Sequence, residues 1–291
     1  MNVRLWSEMN WTVSFPAADM SLAINTELAH DILTGFIRSE VTRVGMSRAV
    51  VGLSGGIDSA LSLVLAAEAL GSENVLAVRM PYRASRPDSL EHAQLLIEQF
   101  GVQAKTVEIT DMVEPLIKID PGITQKRKGN IMARQRMIVL YDQSEAFKGL
   151  VIGTSNKTEI LLGYSTLYGD SASAINPIGD LYKTQVRQLS RALNIPLPII
   201  EKPPSADLWE GQTDENELGF TYEEVDRLLY LLVDQRYSPQ EAIDEGFAEK
   251  LVTGVMERIR RNQFKRMQPP IAKVSNRTIG YDFLYLRDWG T

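Results

Sequence analysis

Apolar residues recur at helical spacing at Ile24, Leu28, Ile32, Leu33, Phe36, Ile37, Val41 and Val44, which predicts a long amphipathic first helix. Short apolar runs then take over. Residues 48–53 read as a strand, 58–70 as a helix stopped by Gly71, 74–80 as a second strand broken at Pro81, and 89–100 as a helix stopped by Gly101. A strand over 103–109, a short helix over 111–119, a long helix over 130–148, a strand over 150–153 and a helix over 181–193 continue the alternation. Strands separated by helices at this spacing predict an α/β fold: an open parallel sheet with helices on both faces. Ligands of such sheets sit beyond the carboxyl ends of the strands.

The pattern changes after Ile195. Residues 196–219 carry Pro196, Pro198, Pro203 and Pro204 with no period, and a loop of that length is commonly a lid. Thr221-Tyr-Glu-Glu224, flanked by Phe220 and Val225, makes a capping box with a hydrophobic staple, and Ser238-Pro-Gln-Glu241 repeats the device. A third helix follows over 248–261. The expected layout is an N-terminal arm over 1–21, then a single domain over 22–291 with a lid loop at 202–219 and a C-terminal helical part at 221–268.

Composition narrows the chemistry. The 291 residues are 44% hydrophobic and 23% charged, as in an ordinary globular enzyme, and the net charge of −6 argues against a nucleic-acid partner. There is no Cys, which excludes disulfides, thiolate metal sites and a cysteine nucleophile within these residues. The two His residues, His30 and His92, fall in predicted helices as surface or half-buried positions. No apolar run reaches the roughly 18 residues a membrane span needs, and no secretory leader pattern opens the chain, so a cytoplasmic location is expected.

The stretch Val50-Val-Gly-Leu-Ser-Gly-Gly-Ile-Asp-Ser-Ala-Leu61 runs a strand through a Gly-rich turn into a helix. Gly55 and Gly56 let successive N–H groups converge on phosphate oxygens at a helix N-terminus. Ser54 and Ser59 add hydroxyls, and Asp58 adds a carboxylate suited to Mg²⁺. The loop lacks the Lys of a Walker A motif and the third Gly of the dinucleotide fingerprint. Ser-Gly-Gly-x-Asp-Ser instead resembles the signature of the N-type ATP pyrophosphatases, which cleave ATP between its α and β phosphates.

Other segments offer further candidates. In Gly153-Thr-Ser-Asn-Lys-Thr-Glu159, Glu159 reads either as a second metal ligand or as a first-turn acid complementing the helix dipole. Lys183 reads as a phosphate contact or as a solvated helical lysine. Arg134 and Arg136 lie two apart on one helix, so only one can face a given crevice.

Taken in order, these segments resemble the synthetase domain of the NAD⁺ synthetases over residues 22 to 280. The resemblance is carried by Leu53–Ser59, Met80-Pro-Tyr82, Gly129–Arg136, Gly153–Glu159, Gly163–Asp170, Pro177–Lys183, Lys202–Asp207, Gln212–Leu218 and Lys265-Arg266. It implies ATP-dependent amidation of deamido-NAD⁺ with ammonia through an acyl-adenylate, giving AMP and pyrophosphate. It also implies that Gly52, Leu53, Ser54, Gly55, Gly56, Ile57, Asp58, Ser59, Arg79, Thr154, Lys183 and Ser205 bind ATP. Asp58 and Glu159 would hold Mg²⁺, and Asp58 and Lys183 would be catalytic. Arg134, Leu167, Ala174, Phe264 and Lys265 fall at positions of substrate contact. A homodimer is implied too, for which the first helix would be a natural contact.

Three of those positions depart from the pattern of the short, ammonia-only enzymes. Leu167 stands where they have Lys, Ala174 where they have Asp, and Phe264 where they have His. Ser-Thr-Leu-Tyr-Gly-Asp looks more like the synthetase half of the glutamine-dependent enzymes, whose glutaminase half uses a Cys. Without one, the expected nitrogen source is free ammonia or a separate glutaminase subunit. The same adenylation of nicotinate mononucleotide, or of another carboxylate, stays open as the alternative.

Overall fold

The computed structural model describes residues 22–205 and 214–282. The arm expected over 1–21 lies outside them, as does the middle of the 202–219 loop. Four parallel strands, β1 (Arg48–Gly52), β2 (Val75–Arg79), β3 (Gln103–Thr106) and β4 (Gly149–Ile152), form a sheet in the order β3-β2-β1-β4. Val50 of β1 sits opposite Leu76 on one side and Val151 on the other. Strand order reverses between β1 and β4, so their carboxyl ends open a crevice at the switch point.

Alternation along the strands sorts side chains to two faces. Ala49, Val51, Val75 and Ala77 are buried against α1 (Thr26–Arg43), α2 (Ile57–Leu70) and α3 (Pro87–Phe100). Val50, Leu76 and Val78 are buried on the opposite face, against α4 (Thr110–Lys118) and α5 (Gln125–Phe147). Each such Val or Leu taken from water contributes about 1.5–3 kcal/mol. Eleven of the fourteen residues of α2 are buried, so the helix after the Gly-rich loop is a central one. In α1 the apolar residues split: Ile37 and Val41 are buried, whereas Leu28, Ile32 and Phe36 are exposed along a second face.

After β4 come α6 (Lys157–Leu162) and α7 (Lys183–Ala192), the latter packing Val186 and Leu189 into the first face. The stretch expected to be irregular over 196–219 contains two helices too short to show a period, α8 (Leu197–Ile200) and α9 (Asp214–Leu218). Then follow α10 (Tyr222–Leu229), which continues into a π turn over Tyr230–Asp234, α11 (Pro239–Asp244) and α12 (Glu249–Arg261). Thr221 caps α10 by accepting from Glu224 N, and Ser238 with Glu241 forms the full capping box of α11. These helices build their own core with α6, around Leu162, Tyr222, Val225, Leu228 and Val255.

Two boundaries move. The strand expected over 103–109 ends at Thr106, and its side chains are exposed at the sheet edge. The helix expected from residue 130 starts at Gln125, because the Thr124 hydroxyl accepts from Arg127 N and caps it there. His30 and His92 are half-buried. No described helix is long and apolar enough to cross a membrane.

Candidate active site

The Gly-rich loop leaves β1 at Gly52 and is held by its own hydroxyls. Ser54 and Ser59 approach to 3.0 Å through their Oγ atoms, Gly56 N donates to Ser54 Oγ at 3.3 Å, and Ser59 Oγ donates to Gly56 O at 3.0 Å. Gly55 has φ +78°, and a Cβ there would run into the Ser89 carbonyl of α3. Only glycine serves both demands. Gly56 caps α2 without a side-chain hydrogen bond, so the first N–H groups of the helix stay open to an anion.

Beyond the loop, a cavity of about 710 Å³ occupies the crevice. Gly52, Leu53, Ser54, Gly56, Ile57, Asp58 and Ser59 line it, together with Thr154, Glu159, Lys183 and Ser205. Segments after β1 and β4, the start of α7 and the 202–205 stretch thus meet at one place. Arg79 does not line the cavity; at the end of β2 its Nη1 donates to Gln94 Oε1 at 2.7 Å.

A buried lysine sits at the centre of the loop end. Lys183, 2% exposed, places Nζ 2.5 Å from Asp58 Oδ2 and 3.3 Å from Glu159 Oε1. It also lies 5.1 Å from the centre of the Tyr222 ring. Burial alone would lower its pKa, but Asp58, Glu159 and Asp214 outweigh burial and raise it, so the ammonium is firmly held. Burial and the neighbouring Asp58 also raise the pKa of Glu159, to about 8, against the pull of Lys183. One Glu159 oxygen completes the capping box of α6 with Asn156, and the other faces Lys183. Among the described residues no group of three or more Asp, Glu or His converges as a ready metal cage, so two carboxylates and a lysine are what the loop end offers.

Support for this cluster comes from groups the sequence reading did not single out. Asn156, fully buried, donates from Nδ2 to Asp58 Oδ1 at 2.9 Å and so aims the carboxylate. Asp226 of α10, also fully buried, accepts from Thr158 Oγ1 at 2.5 Å and Thr184 N at 2.8 Å, while Lys183 N donates to Thr158 Oγ1 at 3.1 Å. One carboxylate therefore fixes the starts of both α6 and α7. Asp214, buried at the start of α9, accepts from Tyr164 and Tyr222 hydroxyls at 3.1 Å each and raises the Lys183 pKa. Its N–H donates to Pro204 O at 2.9 Å, so the two described ends of the 202–219 stretch are tied together at the cavity.

Another part of the cavity wall is cationic. Lys265 donates to Gly163 O and Ser165 O at 2.6 Å each and lines the cavity with Arg136, Lys126 and Arg258. Of the two arginines on α5 it is Arg136 that lines the cavity, its Nε donating to Met80 O at 3.2 Å. Arg134 donates to Leu167 O at 3.3 Å and lines a separate hollow with Leu116, Ile119 and Ile131. Leu167, Ala174 and Phe264 are not in the cavity wall: Ala174 is exposed with its N–H bonded to Val151 O at 2.9 Å, and Phe264 is exposed.

The model of the NAD synthase family matches residues 30–269. The chain belongs to that family. It is 58% identical over 269 residues to an NH(3)-dependent NAD(+) synthetase of Trichlorobacter lovleyi, covering 92% of this chain and 98% of that one. Its fold superposes with TM-score 0.74 on an NH3-dependent NAD synthetase from Campylobacter jejuni, at 36% identity, covering 86% of this chain and 100% of the other. An NMN synthetase from Francisella tularensis gives TM-score 0.76 at 31% identity, covering 87% and 100%.

For this NAD synthase family member, the groups missed from sequence share a cause. Asn156 and Asp214 lie inside segments that carry the family resemblance, but only the fold shows which atom each serves. Asp226 lies outside them; a carboxylate at a core-facing position of α10 is the one signal it gives.

Proposed function

We propose that the chain is an ATP-dependent C–N ligase that amidates the nicotinate carboxylate of deamido-NAD⁺ with ammonia, forming NAD⁺, AMP and pyrophosphate. The observation that carries the reading is the meeting of the open α2 N-terminus with the Asp58–Lys183–Glu159 cluster in one crevice. Family membership and the 58% identity to an NH(3)-dependent NAD(+) synthetase support the choice of substrates.

In the first step a carboxylate oxygen of the substrate attacks the α-phosphorus of ATP. The bond from that phosphorus to the bridging oxygen breaks, and pyrophosphate leaves. The N–H groups at the start of α2 and the Ser54 and Ser59 hydroxyls hold the phosphates, and Lys183 absorbs charge developing on them. In the second step ammonia nitrogen attacks the acyl carbon, the bond from that carbon to the AMP oxygen breaks, and nitrogen loses a proton. No acid-base His is required, in keeping with two half-buried His residues outside the cavity wall. Both described ends of the 202–219 stretch line the cavity, which supports its role as a cover excluding water from the adenylate.

Mg²⁺ fits the residues present, since two carboxylates already converge on one cation and Mg²⁺ commonly takes one or two carboxylates plus phosphate oxygens. Asp58 and Glu159 would hold it, and it would neutralise charge on the phosphates when bound.

The chain contains no Cys, so it lacks a thiolate for glutamine hydrolysis. With ATP, Mg²⁺ and deamido-NAD⁺, purified protein is expected to form NAD⁺ with ammonium and not with glutamine; efficient use of glutamine without a partner would overturn the reading. A separate glutaminase subunit would restore glutamine use when added. The likeness to an NMN synthetase favours one second reading, the same chemistry on nicotinate mononucleotide. Pyrophosphate release measured with each nucleotide decides between them.

We further infer a homodimer. Met112, Leu116 and Ile119 at α4 and Ile138 and Tyr141 of α5 are exposed, an apolar surface in addition to that of α1, and Arg134 lines the hollow beside Leu116 and Ile119. A second copy docked there would bring Arg134 toward substrate that its own cavity does not offer it.

A further inference from the structure

The cationic part of the cavity wall holds more charge than the chemistry above uses. Lys126 and Arg258 both line it, and among the described residues neither has an ion-pair partner. Lys126 lies in the first turn of α5, which has no acidic residue and carries Lys126, Arg127 and Lys128 in succession. Cations at a helix N-terminus oppose the macrodipole, so this turn is built against the usual preference. Arg127 is compensated by an ion pair with Asp120, and Lys128 adds its field to Glu114. Lys126 is left facing the cavity.

Arg258 arrives from the last turns of α12. Its neighbour Arg261 pairs with Glu257 at 3.5 Å, whereas Arg258 is half-buried in the cavity wall. Lys265 lies on the turn that follows α12, its Nζ fixed by the Gly163 and Ser165 carbonyls. Partial burial lowers the Lys265 pKa, Asp170 opposes that, and Lys126 and Arg258 lower it further, so the three cations sit within each other's field. Asp170 is the one carboxylate in that set, and it already accepts from Thr166 N at 2.7 Å. Three cations gathered beside Asp170 in a concave wall, which Asp214 and Glu217 also line, suit a multiply charged anion.

ATP phosphates belong on the α2 N-terminus, a different part of the wall. We propose that Lys126 and Arg258, together with Lys265, form a subsite for the phosphate groups of the carboxylate-bearing nucleotide, anchoring it so that its carboxylate reaches toward the Gly-rich loop. This rests on the ligase reading above for the identity of that nucleotide. Charge-assisted contacts of lysine and arginine to phosphate are the strong kind, and the subsite is assembled from α5 and α12, elements far apart in sequence.

The test is equilibrium binding by calorimetry, which needs no turnover. In Lys126→Ala and Arg258→Ala, the Kd for deamido-NAD⁺ rises about tenfold each, while the Kd for ATP stays within twofold. Affinity of the wild type for deamido-NAD⁺ falls as NaCl is raised, with a shallower dependence in the double variant. Arg258→Lys, which keeps the charge, retains most of the affinity and replaces Arg258→Ala should that variant misfold. Unchanged affinity for deamido-NAD⁺ in Lys126→Ala and in the folded Arg258 variant would overturn the proposal, as would a loss confined to ATP. Failure of the wild type to form NAD⁺ while these shifts persist would sink the ligase reading and leave the subsite standing.

Discussion

Lys183 Nζ lies 2.5 Å from Asp58 Oδ2 although the two residues are 125 positions apart, and the same ammonium reaches Glu159 Oε1 at 3.3 Å. The lysine thus occupies the meeting point of the two carboxylates assigned to Mg²⁺. Removing it leaves buried negative charge without a partner, which costs about 3–5 kcal/mol. Lys183→Met is therefore expected to melt well below the wild type, and millimolar Mg²⁺ is expected to raise its Tm by more than it raises that of the wild type. Pyrophosphate formation falls at least about 100-fold in the same variant. Equal stabilisation of both proteins by Mg²⁺, read by calorimetry, would show that the lysine and the metal do not share the carboxylates.

Gly55 makes a second, steric prediction. Its φ of +78° disfavours any side chain, and the Ser89 carbonyl occupies the space a Cβ would need. In Gly55→Ala the loop and the start of α3 must part, at a cost of about 1–3 kcal/mol. ATP binding weakens about tenfold or more as the N–H groups lose alignment. Titration of ATP into the variant, with circular dichroism to verify folding, checks it; wild-type affinity would refute the cradle.

Asp226 supports the cluster from behind. Its substitution by Ala strands the Thr158 hydroxyl and Thr184 N–H in a buried place, for a loss of about 3 kcal/mol. Lys183 N–H bonds to that same hydroxyl, so the lysine shifts as well. The expected outcome is a Tm lower by roughly 6–12 °C together with a reduced rate of pyrophosphate release. A stability loss with full turnover would separate Asp226 from the site.

The parallel sheet could be read from sequence because strands 48–53 and 74–80 are continuous apolar runs, the pattern of strands covered on both faces. The Gly-rich loop could be read because glycine, serine and aspartate each have a separate reason to be there. Residue pairs are different. The i, i+2 spacing of Arg134 and Arg136 says that they diverge, and only the docking of α5 on the sheet decides that Arg136 lines the cavity. Lys183, read from sequence as a phosphate contact or a solvated lysine, is 2% exposed, because α10 covers the start of α7 from a distant part of the chain. α8 and α9 escaped notice because four or five residues cannot display a helical period.

A pH-dependent contact holds α1 to α2. His30 Nε2 lies 2.5 Å from Glu68 Oε2, and its Nδ1 lies 3.2 Å from Asp31. Burial alone would lower the His30 pKa; the hydrogen bonds and charges of Glu68 and Asp31 outweigh it and raise the value above 6.5. A raised folded-state value means that the native state holds the proton more tightly than the unfolded chain. The contribution is complete below about 6.5 and is lost as pH rises through the folded-state value. Glu68→Gln is expected to melt below the wild type at pH 6 and to converge with it at pH 9. A gap that persists at pH 9 would assign the effect to packing.

The apolar face of α4 and α5 yields a prediction about assembly. Ile119 and Ile138 are 75% and 54% exposed there, and an unpartnered apolar surface of this kind marks an interaction site. Arg134 shares the face, and the hollow it lines is continuous with Leu116 and Ile119. If a second copy covers this surface, Ile138→Glu buries a charge in the interface and yields a monomer by analytical ultracentrifugation. The same variant binds deamido-NAD⁺ more weakly, because Arg134 of the partner no longer reaches the substrate, while ATP binding to the Gly-rich loop is kept. Ile32→Glu, on the exposed stripe of α1, leaves the dimer intact. The reverse outcome, a monomer from Ile32→Glu and a dimer from Ile138→Glu, would move the interface to α1 and leave Arg134 without a route to substrate.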